Sequence, residues 1–394
     1  MAHFIKYLFL ALSIFFLNIK SSAQLSDQSQ ISLLTCAAGE DIYSLFGHSA
    51  IRIYDPLNNI DNCYNWGMFE FDADEIEFAT KFTKGRLKYY MGEQSFPEFM
   101  WEYQYFQRTV KEQVLNLTYD QKIDLWKALK ENYLPENRVY KYDFFFDNCA
   151  TRIRDILQSV IGDKLVLKAH SSENEYSLRE LLNAAVSNMP WLGFGMDLAL
   201  GSKVDVKADN NKMMFLPKYM SEIYTNSEVV INGKNKPLVL SESTLINSKN
   251  HKADASFWSS PNFLFWILFI ISVVLTITKI PFLTKIWDGL LLLIFSVLGF
   301  AILFLWFGTD HATMRPNFNV LWANPFYLFF IIPLMSKKLH NKLNKAYLGM
   351  SVLLILVIFG AMIIPQEFNS ATSPIILIFT VKFFYWYKET KRVV

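Results

Sequence analysis

After Phe257 the chain stops reading as a water-soluble protein, and this change limits its possible folds more than any other feature. Five apolar segments follow: Phe263–Thr278, Gly289–Phe307, Pro325–Met335, Ala346–Ile364 and Pro374–Trp386. A bilayer offers no water to backbone N–H and C=O groups, so such segments have to be helical. Residues 257–394 therefore predict an all-α transmembrane domain of about five helices. The third and fifth segments are short of the roughly twenty residues a span needs, and the flanking Leu321-Trp322 and Phe384–Tyr387 extend them.

The loops give the orientation. Lys279 and Lys285 follow the first segment, Lys337, Lys338, Lys342 and Lys345 the third, and Lys388, Lys391 and Arg392 the fifth, while the alternate loops are nearly free of lysine. Basic loops stay in the cytoplasm, so an odd number of spans places residues 24–256 outside it. The chain start agrees. Lys6 precedes the apolar run Tyr7–Leu17, and Ser21-Ser22-Ala23 supplies small residues for cleavage after Ala23, which reads as a signal peptide over residues 1–23. The expected location is the cytoplasmic (inner) membrane, multi-pass, with a periplasmic domain.

Residues 24–256 carry charges throughout, as a globular domain does. The net charge of +2 is too small to suggest a nucleic-acid partner. Strands are expected at Ile31–Thr35, 46–54, Cys63–Gly67, Arg86–Met91, Arg108–Leu117 and Tyr140–Phe146, and helices at Ala73–Phe82, Asp120–Leu134 and Ala150–Val160. Strands clustered ahead of the last helix indicate an α+β fold. Asn232-Gly233 marks a hairpin between Glu228–Ile231 and Leu238–Leu240, and Ser241–Ala255 reads as a polar linker.

Two motifs carry chemistry. Cys149 follows Asp147, an expected N-cap, and shares an apolar helix stripe with Ile153 and Leu157. A thiol at a helix start beside a base can act as a nucleophile. His48, in Phe46-Gly47-His48-Ser49, is the candidate base. On a regular strand it shares a face with Ala50 and Arg52, so either that face lines a cleft or the strand is irregular near Gly47. A third group orients the imidazole in such sites; Asn65 is the choice, with Tyr64, Asp61 and a backbone carbonyl as rivals. Backbone N–H groups at the start of the Cys149 helix are a candidate oxyanion hole. Arg52, Arg152 and Arg154 are candidates for a phosphate or the thiolate. His311, Asn317 and Asn319, between the second and third spans, are candidates for substrate or headgroup binding. Taken singly, each of these residues also has an ordinary structural reading: a core cysteine, a satisfied histidine, surface arginines, a polar headgroup-level loop.

The chain has three cysteines, an odd number for an exported protein. A Cys36–Cys63 disulfide would leave Cys149 reduced. No metal-ligand spacing and no glycine-rich phosphate loop is present, so no cofactor is expected.

The motifs "FGHSAIRI", "YNWG", "KGRLKYYMG", "YDFFFDNCATRIRDIL", "LGSKVD" and "MFLPKYM", followed by "DHATMRPNFNVLWANP", resemble the Lnb-type lipoprotein N-acyltransferases of the Bacteroidota. The resemblance implies an exported domain with a permuted papain-like fold, as in NlpC-type hydrolases and lecithin-retinol acyltransferase, with His48 and Cys149 as catalytic base and nucleophile. It implies an acyl chain taken from a membrane phospholipid as a thioester and passed to the α-amino group of the lipidated N-terminal cysteine of a diacylated lipoprotein. Two other readings stand beside it: a membrane-tethered cysteine hydrolase of peptidoglycan peptides, and a non-enzymatic envelope scaffold.

Overall fold

The structure is a computed structural model that describes residues 24–69, 75–248, 255–278, 280–360 and 363–391. Residues 1–23, where a signal peptide is expected, Lys279 and Arg392 lie outside the described residues.

The exported part is built on a seven-stranded antiparallel sheet. Its strands in chain order are β1 (Gln30–Cys36), β2 (His48–Asp55), β3 (Ile60–Met68), β4 (Lys88–Ser95), β5 (Val110–Leu115) and β6 (Val139–Lys141). A short β7 (Leu165–Val166) and the hairpin β8 (Glu228–Ile231) and β9 (Lys234–Pro237) form a second sheet, and β10 (Val239–Ile246) returns to the first. The main order is β10-β5-β1-β2-β3-β4-β6, so the strands bearing His48 and Asn65 are neighbours near the centre.

The interleaved helices are α1 (Glu75–Thr83), α2 (Phe96–Tyr105), α3 (Tyr119–Tyr133), α4 (Cys149–Ile161), α5 (Leu178–Ala185), α6 (Pro190–Ala199), α7 (Asn210–Met213) and α8 (Pro217–Asn226). Both sheet faces are covered. Ile31, Leu33, Ile51 and Ile53 pack with α3, α4 and α8 through Leu125, Leu129, Ile153, Leu157 and Ile223. The opposite face, with Leu34, Cys36, Ala50 and Cys63, packs on Phe99 and Tyr103 of α2. Alternation along β1 to β3 thus feeds two cores.

Three expectations need correction here. The strand expected at Tyr140–Phe146 is only Val139–Lys141, because the chain turns where Asp143 and Asp147 exchange backbone hydrogen bonds. Residues 239–246 are a strand, not a linker. Their polar Ser241, Glu242, Ser243 and Thr244 suit an edge strand, and the strand pairs with β5 while Gln113 bonds Glu242 at 2.7 Å. The hairpin turns at Asn232-Gly233, both at positive φ, but its second strand is Lys234–Pro237 rather than Leu238–Leu240.

The membrane part comprises α9 (Pro261–Thr278), α10 (Pro281–Phe307), α11 (Leu328–Met335), α12 (Lys337–Lys342), α13 (Asn344–Gly360) and α14 (Thr372–Lys391). Among the described residues three stretches are long and apolar enough to cross a membrane, Pro261–Thr278, Pro281–Phe307 and Ala312–Met335. The third is not one continuous helix: three short 3₁₀ turns precede α11. Pro316 and Pro325 interrupt the ladder, and Asn317 and Asn324 cap the turns. The remaining apolar segments form α13, which is shorter, and α14, which carries Lys382, Lys388, Glu389 and Lys391. Lys382 meets Asp288 of α10 at 2.7 Å, and both side chains are buried.

The two parts are docked through residues 177–205. Arg179 is buried and spends its guanidinium on Asp197 at 2.9 Å, Asp205 at 2.7 Å and the carbonyl of Gly201 at 2.9 Å. Asp197 also accepts from Asn369 of the membrane part at 2.7 Å. The Gly201 N–H donates to Thr313 O at 2.9 Å, and a Cβ on Gly201 would lie 2.3 Å from the Pro316 carbonyl. Only glycine permits that approach. Lys285 stands in the first turns of α10, and the lysines from Lys337 to Lys345 stand in and just after α12.

Candidate active site

The sequence from Asp143 to Thr151 makes a tight turn that launches α4. Asp143 bridges Asp147 through paired backbone bonds, and the Asn148 side chain then accepts from the N–H groups of Ala150 and Thr151, both at 2.9 Å. Asn148, not Asp147, is the N-cap, and Thr151 completes the capping box. Asp147 instead holds Arg152, whose guanidinium sits 3.8 Å from the centre of the Tyr140 ring. Asn148 also donates to Phe144 O at 2.7 Å and to Phe215 O at 2.8 Å, which ties the helix start to the chain entering α8. Cys149, the first helical residue, is 8% exposed.

His48 opens β2, next to Gly47 at φ +81°. The chain therefore turns just before the strand, and the pairing of β2 with β1 runs in unbroken register from His48 onward. Downstream, Ala50 and Arg52 lie on the α2 side of the sheet and Ile51 and Ile53 on the α4 side. At the strand end His48 and Cys149 nevertheless line one cavity of about 70 Å³, with Tyr43, Phe46, Trp66, Gly67, Tyr142 and Phe144 among its walls. Gly67 sits at an irregularity in the β3–β4 pairing, and its Cα face lies against Cys149 and Tyr142.

His48 Nε2 and Asn65 Oδ1 are 3.0 Å apart. The amide oxygen can only accept, so the bond places the imidazole proton on Nε2 and leaves the Nδ1 lone pair for a thiol proton. Asn65 is buried and paired in register with Ala50, which fixes the bond's geometry. Its sequence rivals are engaged elsewhere: Tyr64 donates to Glu93 at 2.7 Å, and Asp61 accepts from Arg52 at 2.7 Å.

Burial sets the electrostatics. It pushes the Cys149 thiol above its ordinary pKa, against the opposing pull of the Ser49, Ala150 and Cys149 N–H groups. Burial also lowers His48 to about 4, despite its bond to Asn65. Arg108, a buried cation absent from the sequence shortlist, works in the same direction on His48 and favours the Cys149 thiolate. At neutral pH these shifts favour a thiol beside a neutral imidazole, an arrangement suited to general-base chemistry rather than to a standing ion pair. Alkylation of Cys149 by iodoacetamide is expected to keep rising with pH through about 9; a full rate already reached at pH about 5 would reveal a preformed thiolate. The depressed His48 value carries a stability consequence. The unfolded chain takes up this proton near 6.5 and the folded one only near 4, so the fold loses stability as pH falls through that window.

The other shortlisted residues are placed away from the cavity. Arg52 pairs with Asp61 and, at 3.0 Å, with Glu112, and lies 3.4 Å over the Phe96 ring. Arg52 and Arg152 are structural ion pairs here, because both guanidinium edges meet protein carboxylates or rings before any ligand could. Arg154 donates to Asp155 and to Asn211 O. Asn317 donates to Leu198 O at 2.8 Å and Asn319 to Asp197 O at 2.9 Å, so both serve the docking between the two parts. His311 packs on Gly85, and its Nε2 lies 3.2 Å from Phe82 O. The helix-start oxyanion hole is also narrowed, since the Asn148 cap takes the Ala150 and Thr151 N–H groups. Cys36 and Cys63 are free and buried, with Cys36 directly across the strand pair from His48. Among the described residues no cluster could hold a metal ion.

The site lies close to the membrane part. Tyr142 lines the cavity, and its neighbour Lys141 reaches Asp310, just beyond α10, at 3.4 Å.

Comparison with known families found two matches. Residues 16–184 match the Lnb N-terminal periplasmic domain, and residues 252–393 match the Lnb transmembrane domain. Comparison with curated proteins returned no match, and comparison with solved structures returned none either. With both halves matched in this order, the chain belongs to the Lnb family, as a membrane protein with a periplasmic domain followed by a transmembrane domain.

Proposed function

We propose that this protein is a lipoprotein N-acyltransferase of the inner membrane, with Cys149 as nucleophile, His48 as base and Asn65 as the group that orients the histidine. The observation that carries the reading is that His48 and Cys149 line one small aromatic cavity, next to the outer loop of a membrane domain. The order of the histidine strand before the cysteine helix supports a permuted papain-like arrangement. The five apolar segments are read as five spans, with the third broken by its prolines.

In the first half-reaction His48 Nδ1 takes the Cys149 proton and the sulfur attacks a phospholipid ester carbonyl. The C–S bond forms, the ester C–O bond breaks, and His48 returns the proton to the leaving lysophospholipid oxygen. In the second, the α-amino group of a diacylated lipoprotein attacks the thioester. An amide forms, the C–S bond breaks, and the amine proton passes through His48 to the sulfur. The N–H groups of Ser49 and Cys149, directed at the sulfur, are the candidates for stabilising charge that develops there.

A peptidoglycan-peptide hydrolase calls for a cleft distant from the bilayer, whereas this cavity is lined by Tyr142, whose neighbour Lys141 reaches Asp310 of the membrane part at 3.4 Å. The discriminating experiment is intact-protein mass spectrometry after incubation with phospholipid alone. The expected result is a mass gain of acyl size that hydroxylamine removes, with release of lysophospholipid. Cleavage of peptidoglycan fragments with no such gain would select the hydrolase reading.

A further inference from the structure

The cavity at Cys149, about 70 Å³, is less than half of the roughly 150 Å³ that accept a benzene ring. It has room for a reacting carbonyl and its first carbons, and a fatty chain has to lie outside it. An aromatic line leads away from the cavity wall. Tyr142 stacks on Tyr89 with centroids 4.4 Å apart, Tyr89 lies 5.4 Å from Phe69, and Phe69 lies 5.9 Å from Phe78 of α1. Tyr43, on the cavity's other wall, also reaches Phe69 at 6.4 Å. One turn beyond Phe78, Phe82 is 54% exposed, and its carbonyl meets His311, which follows the outer end of the apolar helix α10. The line therefore runs from a helix that touches the loop beyond a membrane-part helix to the wall of the cavity that holds the thiol.

We propose that Phe82, Phe78, Phe69, Tyr89 and Tyr142 form the bed for one acyl chain of a membrane lipid and guide its ester carbonyl to Cys149. The inference rests on the acyl-transfer reading. Each methylene laid on the rings adds apolar contact, so the bed makes long-chain donors better substrates than short ones. A hydrolase of peptides has no use for such a line.

The test compares acylation of Cys149 in the full-length protein by two donors, dipalmitoyl phosphatidylethanolamine in detergent micelles and p-nitrophenyl butyrate, followed by intact mass. In Phe78→Gln/Phe82→Gln the preference for the long-chain donor should fall about tenfold. Phe82→Gln alone, at an exposed position that leaves the fold in place, should lower it about threefold. An unchanged preference in the single and double variants overturns the bed while leaving acyl transfer standing. Wild-type protein acylated by neither donor overturns acyl transfer, and the bed with it.

Discussion

Cys149→Ala is expected to abolish acyl transfer, with a loss of at least about 10⁴-fold, while membrane insertion and expression stay at wild-type levels. The cavity keeps its walls in this variant, because Cys149 is held by the backbone turn and the Asn148 cap rather than by its sulfur. His48→Ala should fall by about 10²–10⁴-fold, the range for a general base. Asn65→Ala should lose less than His48→Ala, since it removes the partner that fixes the imidazole tautomer and leaves the base itself. Transfer from phospholipid to lipopeptide, measured with purified protein, checks all three. Full activity in Cys149→Ala would end every enzymatic reading.

Arg179→Met should have the largest effect on stability. It leaves Asp197 and Asp205 without their shared cation beneath a docked surface, and unpairing a buried ion pair costs about 3–5 kcal/mol. Arg179→Lys should recover little, because one ammonium cannot span two carboxylates and the Leu200 and Gly201 carbonyls. Thermal unfolding of the detergent-solubilised protein measures this, and a wild-type midpoint for Arg179→Met would contradict the docking role.

The parts of this architecture legible in the sequence are those written in local pattern. Period-2 runs at Ile31–Thr35 and around His48 became β1 and β2, and the stripe Ile153, Leu157 placed Cys149 at a helix start. Local pattern does not fix partners far along the chain. Asp147 and Asn148 are equally good caps by type, and Arg152, one turn on, decides between them by drawing Asp147 away. Asn317 and Asn319 were expected to face substrate because they are polar beside a membrane; they bond backbone carbonyls more than a hundred residues earlier. Arg52 met carboxylates from two other strands. Residues 241–246 looked like a linker because an edge strand with one solvated face is polar enough to pass for one. Arg108 gave no sequence signal, since nothing in Gln107-Arg108-Thr109 separates a buried cation from a surface one. The pair Asp288 and Lys382 was legible in principle, as two charges within or beside apolar segments.

The most direct measurement of the central claim is discharge of the acyl-enzyme. Protein first acylated by phospholipid is mixed with a diacylated lipopeptide, and both are followed by mass spectrometry. The predicted result is loss of the hydroxylamine-labile mass from Cys149 and its reappearance as an amide on a lipopeptide with a free α-amino group, with no transfer to one whose amine is blocked. Transfer to the blocked peptide, or an acyl-enzyme that yields only free fatty acid in the presence of the free amine, would contradict N-acyl transfer.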